Sequence, residues 1–142
     1  MPARDFIDTN ILVYAYDSGD ARKRRIAQEL LIQALSGNIM VSTQVLAEFA
    51  ATLLHKMSPP AKPEDVASVL EALGPLEVIL PDGDMVRRAV EARMKYGVHF
   101  YDGMILAAAE RGGCRRIWSE DLNAGQRYFG LIVENPFQIR EK

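Results

Sequence analysis

The sequence has 142 residues, of which 49% are hydrophobic and 25% are charged. This balance is that of an ordinary globular protein and excludes a disordered or collagen-like chain, and the length predicts a single domain over residues 1–142. The net charge of −2 argues mildly against a nucleic-acid partner, because domains that bind nucleic acid usually carry an excess of positive charge.

Short apolar segments rich in branched residues alternate along the chain with longer segments of helical periodicity. Strands are predicted over residues 6–7, 39–41, 76–80, 117–118 and 131–133. Helices are predicted between these strands, over residues 26–35, 45–53, 63–73, 85–94 and 101–111. Residues 104–109 are apolar on every side of their helix, which predicts an internal helix.

The predicted strands do not alternate polar with apolar residues, which indicates that both faces of the sheet are buried under helices. The order of elements therefore predicts an α/β fold, a three-layer α/β/α sandwich with a mostly parallel central sheet and right-handed crossovers. In such sheets ligands bind outside the carboxyl ends of the strands. We expect the functional residues at that edge.

The sequence also predicts the compartment. Its apolar runs are far shorter than the roughly 20 residues that a membrane-spanning helix needs. Residues 1–5 lack the apolar stretch of a signal peptide, and the single cysteine, Cys114, excludes an intrachain disulfide. We therefore expect a cytoplasmic protein without a membrane segment.

Four acidic residues fall at or near the predicted carboxyl edge of the sheet. Asp8 follows the first strand, Asp121 follows the fourth, and Asp102 opens the internal helix. Glu48 lies early in the helix after the second strand, at the edge of its apolar face. Each has an ordinary alternative, because aspartates are frequent helix N-caps and turn residues and a glutamate on a helix is usually solvated.

Carboxylates gathered at one rim repel one another. At an effective dielectric constant of about 20, two unit charges about 4 Å apart repel by roughly 4 kcal/mol, so such a cluster persists only if protons or cations neutralise it. No histidine or cysteine accompanies the four acids, which favours Mg²⁺ or Mn²⁺ over zinc. A site of this kind suits phosphoryl chemistry, in which the metal activates water and stabilises the leaving oxygen.

Four segments resemble, in order, the motifs of PIN-domain ribonucleases: residues 6–15 (FIDTNILVYA), 45–49 (VLAEF), 100–109 (FYDGMILAAA) and 119–125 (SEDLNAG). The length and motif order resemble in particular the VapC-like toxins of toxin–antitoxin pairs, and the resemblance covers essentially the whole chain. Two positions depart from it: Gly103 stands where the family often has alanine, and His99 stands where it often has a small polar residue.

The resemblance implies an endoribonuclease that uses Mg²⁺ or Mn²⁺, forms homodimers and is inhibited by a cognate antitoxin. Asp8 and Asp102 would be the principal metal ligands, and Asp121 would complete the cage directly or through water. Glu48 would bind the metal or orient the attacking water. Three further residues match positions that support the cage: Thr9, Asn10 and Ser119.

Two other functions stay open. A phosphatase of the haloacid-dehalogenase type also uses an aspartate after a strand, but it needs a second aspartate two residues later, where this chain has Asn10. A catalytically inactive PIN-like module would bind RNA or protein only, although all four acids are present.

The basic residues and His99 carry further expectations. The densest basic run, residues 22–25, is the best candidate for contact with an RNA backbone, followed by Arg115 and Arg116. We expect His99 to be a structural residue at a strand end.

Overall fold

The computed structural model describes residues 3–138, so the domain predicted over residues 1–142 extends past the described part at both ends. The described residues form six strands: β1 (Arg4–Ile7), β2 (Ile39–Ser42), β3 (Glu77–Ile79), β4 (Cys114–Trp118), β5 (Arg127–Tyr128) and β6 (Leu131–Glu134). They also form six helices: α1 (Thr9–Tyr16), α2 (Ala21–Leu35), α3 (Thr43–His55), α4 (Pro63–Ala72), α5 (Gly83–Tyr96) and α6 (Phe100–Arg111). Within residues 3–138, none of these helices is long and apolar enough to cross a membrane.

The strands form one sheet in the order β3-β2-β1-β4-β6-β5. All neighbouring strands are parallel except β5 and β6, which are antiparallel. The predicted α/β fold with a mostly parallel sheet is confirmed. Strand β5 was not predicted, because its two residues are too short for a periodic signal and a tight turn with Gly130 at φ 82° joins it to β6.

As predicted, both faces of the sheet are buried at its centre. Strand β2 is buried at every position, whereas β3, which forms one edge of the sheet, has no buried residue. The expectation of two-sided burial is therefore wrong for β3, because an edge strand has a neighbour on one side only. Helix α6 is internal as predicted, since residues 103–109 are all buried.

The start of α6 differs from the sequence expectation. His99 is the N-cap residue, and its Nδ1 accepts a hydrogen bond from the backbone N–H of Tyr101 at 3.2 Å. Asp102 lies in the first turn instead, so its interpretation as an N-cap is wrong. His99 is likewise at a helix start and not at a strand end.

Arg115 and Arg116 bind a buried carboxylate between the two central strands. Asp5 on β1 accepts hydrogen bonds from Arg116 Nη2 at 2.9 Å and from Trp118 Nε1 at 3.1 Å, and Arg115 Nε lies 3.4 Å from its other oxygen. A buried carboxylate needs such partners, because an uncompensated charge in the interior is strongly destabilising. These two arginines thus hold β4 to β1, which gives them a structural role.

Gly103 allows the backbones of α5 and α6 to approach closely. A Cβ atom at this position would lie 2.6 Å from the carbonyl oxygen of Ala89 on α5, closer than real Cβ atoms come to other atoms. The departure from alanine noted in the sequence therefore has a packing reason. It lets the internal helix, with Asp102 in its first turn, lie directly against α5.

We expect Gly103→Ala to destabilise the protein by about 1–3 kcal/mol, because the added methyl group forces the two helices apart. This loss exceeds the gain in helix propensity of about 1 kcal/mol. Urea denaturation measures it. Gly83→Ala is the matched control, since a Cβ there meets only Arg87 Nη1 at 3.9 Å; a Gly103→Ala variant as stable as that control would contradict the close-approach argument.

Candidate functional site

A pocket of about 490 Å³ lies at the carboxyl edge of the sheet. The four acidic residues identified in the sequence all line it, although they come from four separate segments of the chain: Asp8, Glu48, Asp102 and Asp121. Two of the three predicted supporting residues, Thr9 and Asn10, line it as well. The third, Ser119, is fully buried behind Asp8.

Asp8 lies at the junction of β1 and α1. Its Oδ1 caps α1 by accepting a hydrogen bond from the backbone N–H of Thr9 at 2.7 Å. Its Oδ2 accepts a hydrogen bond from Ser119 Oγ, also at 2.7 Å. Asp8 is thus a helix cap and a pocket residue at the same time, and its carboxylate is held at both oxygens.

Ser119 and Asn10 connect Asp8 to the loop after β4. Ser119 Oγ accepts a hydrogen bond from the backbone N–H of Asp121 at 3.2 Å. The side chain of Asn10 donates to Asp121 Oδ2 at 3.1 Å and accepts from the backbone N–H of Glu120 at 3.1 Å. These contacts fix Asp121 relative to Asp8.

The other two acids come from helices α3 and α6. Glu48 lies on the exposed side of α3, where its Oε1 accepts a hydrogen bond from Thr9 Oγ1 at 3.0 Å. Gln44, one turn earlier, donates to the backbone carbonyl of Tyr101 at 3.0 Å. This bond ties α3 to the first turn of α6, beside Asp102.

Burial and mutual repulsion make the negative charge of the pocket unfavourable. Burial raises the pKa of Asp8 from 3.8 to about 6; hydrogen bonds from Ser119 and Thr9 oppose this, and the charges of Asp121 and Asp102 add to it. Burial also raises the pKa of Asp102, with His99 lowering it and Asp121 adding to the rise. A proton or a cation bound in the pocket reduces this electrostatic cost.

Glu120, which also lines the pocket, forms a polar cluster with Tyr14 and Lys23 that was not predicted from the sequence. Glu120 accepts a hydrogen bond from the Tyr14 hydroxyl at 2.7 Å and forms an ion pair with Lys23. Burial alone would raise the pKa of Glu120, but the bonds from Lys23 and Tyr14 lower it. No local pattern could reveal this group, because Lys23 and Glu120 are far apart in sequence.

The carboxylate oxygens that line the pocket are the type of ligand that a hard divalent cation prefers. As they stand, no three acidic, histidine or cysteine side chains among residues 3–138 are grouped so that they could hold an ion together. Mg²⁺, however, usually keeps several waters and takes only one or two carboxylates from the protein. Four carboxylates on the wall of one pocket, with Asp8 buried and held at both oxygens, are compatible with that mode of binding.

We expect Asp8→Asn to stabilise the metal-free protein at neutral pH. The pKa of Asp8 in the folded state, about 6, lies above its ordinary value of 3.8, so the free energy of unfolding falls as the pH rises from about 4 to about 7. The pKa difference corresponds to about 2–3 kcal/mol. Urea denaturation with EDTA at pH 4.5, 6 and 7.5 measures the effect.

Asp65→Asn is the matched control, because Asp65 is exposed on α4 and lies outside the pocket. It should retain the pH dependence of the wild type. Parallel pH profiles of the wild type and Asp8→Asn, with equal stability at pH 7.5, would show that the buried carboxylate carries no such penalty.

Comparison with known proteins places this geometry in a family. A family model for the PIN domain matches residues 6–129, and no curated protein matches the sequence. Among solved structures, a toxin–antitoxin complex from Klebsiella pneumoniae is 22% identical with a TM-score of 0.71, covering 95% of this chain and 99% of that one.

Two further structures share the fold. VapC20 of Mycobacterium tuberculosis, described as a toxin that cleaves the sarcin–ricin loop, is 20% identical with a TM-score of 0.63 and covers 82% of this chain and 91% of its own. VapBC2 of Rickettsia felis, bound to a promoter DNA fragment, is 26% identical with a TM-score of 0.63, at 92% and 97% coverage. The family model, over residues 6–129, covers most of the chain and includes all four site acids, so the chain belongs to the PIN domain family.

Proposed function

We propose that this PIN domain is an endoribonuclease that depends on Mg²⁺ or Mn²⁺ and cleaves phosphodiester bonds of cytoplasmic RNA with water. The observation that supports the proposal is the burial of Asp8 together with its raised pKa. Asp8 is buried at the end of β1 in a pocket lined by five other carboxylates, and its pKa is raised to about 6. A cation in the pocket would stabilise the ionised form of these carboxylates at neutral pH.

In this proposal Asp8 and Asp102 hold the metal, and Asp121 completes the site directly or through water. Glu48 binds the metal or orients the attacking water. A divalent cation here supplies Lewis-acid chemistry, because it polarises the phosphate and favours ionisation of water near neutral pH.

The neighbouring residues of the chain keep these carboxylates in place. Ser119 and the backbone N–H of Thr9 each hold one oxygen of Asp8, so the carboxylate cannot rotate freely. Asn10 bonds to Asp121, and the Thr9 hydroxyl orients Glu48. Such supporting hydrogen bonds fix the geometry of metal ligands, and losing one typically lowers affinity or activity 10- to 100-fold.

We further propose that the protein is the toxin of a toxin–antitoxin pair, with a cognate antitoxin as partner and a homodimer as its own assembly. The support is its likeness, over nearly the whole length of both chains, to structures described as toxin–antitoxin complexes. The described cleavage of an RNA loop by one of these neighbours supports RNA as the substrate.

The two alternative functions, a phosphatase and an inactive binding module, require different residues in the pocket. An aspartate-dependent phosphatase needs an acid two residues after Asp8, but Asn10 stands there and its amide is engaged with Asp121 and the backbone of Glu120. An inactive binding module would not require Glu48, Asp102 and Asp121 to line one pocket with Asp8. A binding module would take up RNA without regard to Mg²⁺.

We expect Asp8→Asn and Asp102→Asn each to lower RNA cleavage by at least about 100-fold, because each removes a charged metal ligand. The purified proteins are incubated with total RNA in Mn²⁺, in Mg²⁺ and in EDTA, and the fragments are resolved on denaturing gels. Asp65→Asn is the control and should cleave like the wild type. Near-normal cleavage by Asp8→Asn, or by the wild type in EDTA, would rule out the proposed mechanism.

We expect expression of the wild-type protein alone to arrest growth of a bacterial host, whereas Asp8→Asn should be tolerated. Co-expression of the short protein encoded next to it should restore growth, because an antitoxin inhibits its toxin by binding. Growth curves and co-purification measure both effects. A wild-type protein that cleaves RNA in vitro but leaves growth unaffected would keep the nuclease assignment and remove the toxin assignment.

A further inference from the structure

Lys56 is a cation of the acidic pocket with no acidic partner. It lines the same pocket as the four site carboxylates, and within residues 3–138 its ammonium group has no ion pair or hydrogen bond. It belongs to no basic run, so the charge pattern of the sequence did not single it out. Its placement in the pocket is a result of the fold.

The basic residues that the sequence favoured do not line this pocket, and several of them are engaged elsewhere. Lys23 pairs with Glu120, and Arg22 Nη2 donates to the backbone carbonyl of Phe137 at 2.9 Å. Arg115 and Arg116 pair with Asp5. Each of these cations already interacts with a group of the protein, which reduces its capacity to bind a phosphate.

Lys56 is the C-cap residue of α3, and this position sets its distance from the metal-binding end of the pocket. Glu48, Thr52 and Lys56 follow one another at four-residue intervals, which places them on one face of the helix, and all three line the pocket. At a rise of 1.5 Å per residue, the backbone of Lys56 is about 12 Å along the helix from that of Glu48. Lys56 therefore lies about two helical turns along the pocket wall from Glu48, which favours a contact with a neighbouring phosphate over the one at the metal ligands.

We propose that Lys56 binds a phosphate of the RNA strand that is next to, or one further from, the scissile phosphate. This inference rests on the proposed endoribonuclease function. The pocket wall carries six carboxylates: Asp8, Asp17, Glu48, Asp102, Glu120 and Asp121. RNA is a polyanion, so it enters such a pocket only where cations meet its phosphates, and contacts to phosphates fix the register of the strand without reading its sequence.

The test compares Lys56→Gln, which removes the charge but keeps most of the side chain, with Lys56→Arg, which keeps the charge. Lys62→Gln is the matched control, because Lys62 is exposed just before α4 and lies outside this pocket. Cleavage of a fluorogenic single-stranded oligoribonucleotide of mixed sequence gives KM and kcat at several KCl concentrations. Binding of a labelled RNA of the same kind is measured in parallel by fluorescence anisotropy in Ca²⁺.

We expect Lys56→Gln to raise KM and Kd roughly threefold to tenfold, to leave kcat within about twofold, and to reduce the slope of log Kd against log salt by about 0.7. Lys56→Arg should restore most of the affinity, and Lys62→Gln should match the wild type. A Lys56→Gln variant with wild-type KM, Kd and salt dependence would overturn the inference.

The two measurements distinguish failure of this inference from failure of the proposed function. If the wild type cleaves no RNA, the nuclease proposal fails, and the anisotropy measurement alone decides whether Lys56 contacts a phosphate. If the wild type cleaves RNA and Lys56→Gln lowers the melting temperature but not the affinity, Lys56 has a role in stability only and the inference is wrong.

Discussion

Burial of the Asp8 carboxylate at the junction of β1 and α1 is the constraint on which the rest of the site depends. A carboxylate removed from water needs hydrogen bonds at its oxygens, and the chain provides them from the first residue of α1 and from Ser119 after β4. These bonds oppose the effect of burial without abolishing it, since the pKa of Asp8 still lies at about 6. The protein therefore keeps an acid in a place where the folded state favours its neutral form, which is a property typical of functional sites.

The parallel sheet explains how residues from distant parts of the chain reach Asp8. Strands β1 and β4 are neighbours and run in the same direction, so the residues that follow them, Asp8 and Ser119, lie at one edge. Strand β2 lies on the other side of β1, and α3, which carries Glu48, starts directly after it. Strands and helices therefore position Asp8 and Glu48, and Thr9 donates a hydrogen bond to Glu48. Asp121 lies in the loop after β4 and is held by the hydrogen bond from Asn10.

Helix α6 brings the fourth acid to the site by a different route. It is buried over residues 103–109, and the absence of a side chain at Gly103 lets it lie against the backbone of Ala89 on α5. Since Asp102 directly precedes this contact, packing of the two helices sets how far its carboxylate projects toward the pocket. Helix packing next to Asp102 thus contributes to the geometry of the site.

The overall charge of the molecule conceals a strongly uneven distribution. The net charge is only −2, yet one pocket gathers six carboxylates and Lys56, while arginines such as Arg4, Arg88 and Arg116 form ion pairs elsewhere. Electrostatic recognition depends on the local field, which is focused in clefts. The composition was therefore a weak guide to the partner.

The sequence by itself determined the class of fold, five of the strands and the family, because branched apolar runs, helical periodicity and capping residues are local signals. It also singled out the four acids, since each follows a strand or lies early in a helix at the predicted edge. The tertiary structure alone decided that His99 caps α6, that β5 pairs with β6, and that Lys23 reaches Glu120. It also decided that Arg116 is held by Asp5 while Lys56 is left with no acidic partner within residues 3–138. The His99 cap and the β5–β6 hairpin are local, but both are too short to give a periodic signal. The ion pairs join residues far apart in the chain, and such distances exist only once the sheet and its helices have packed.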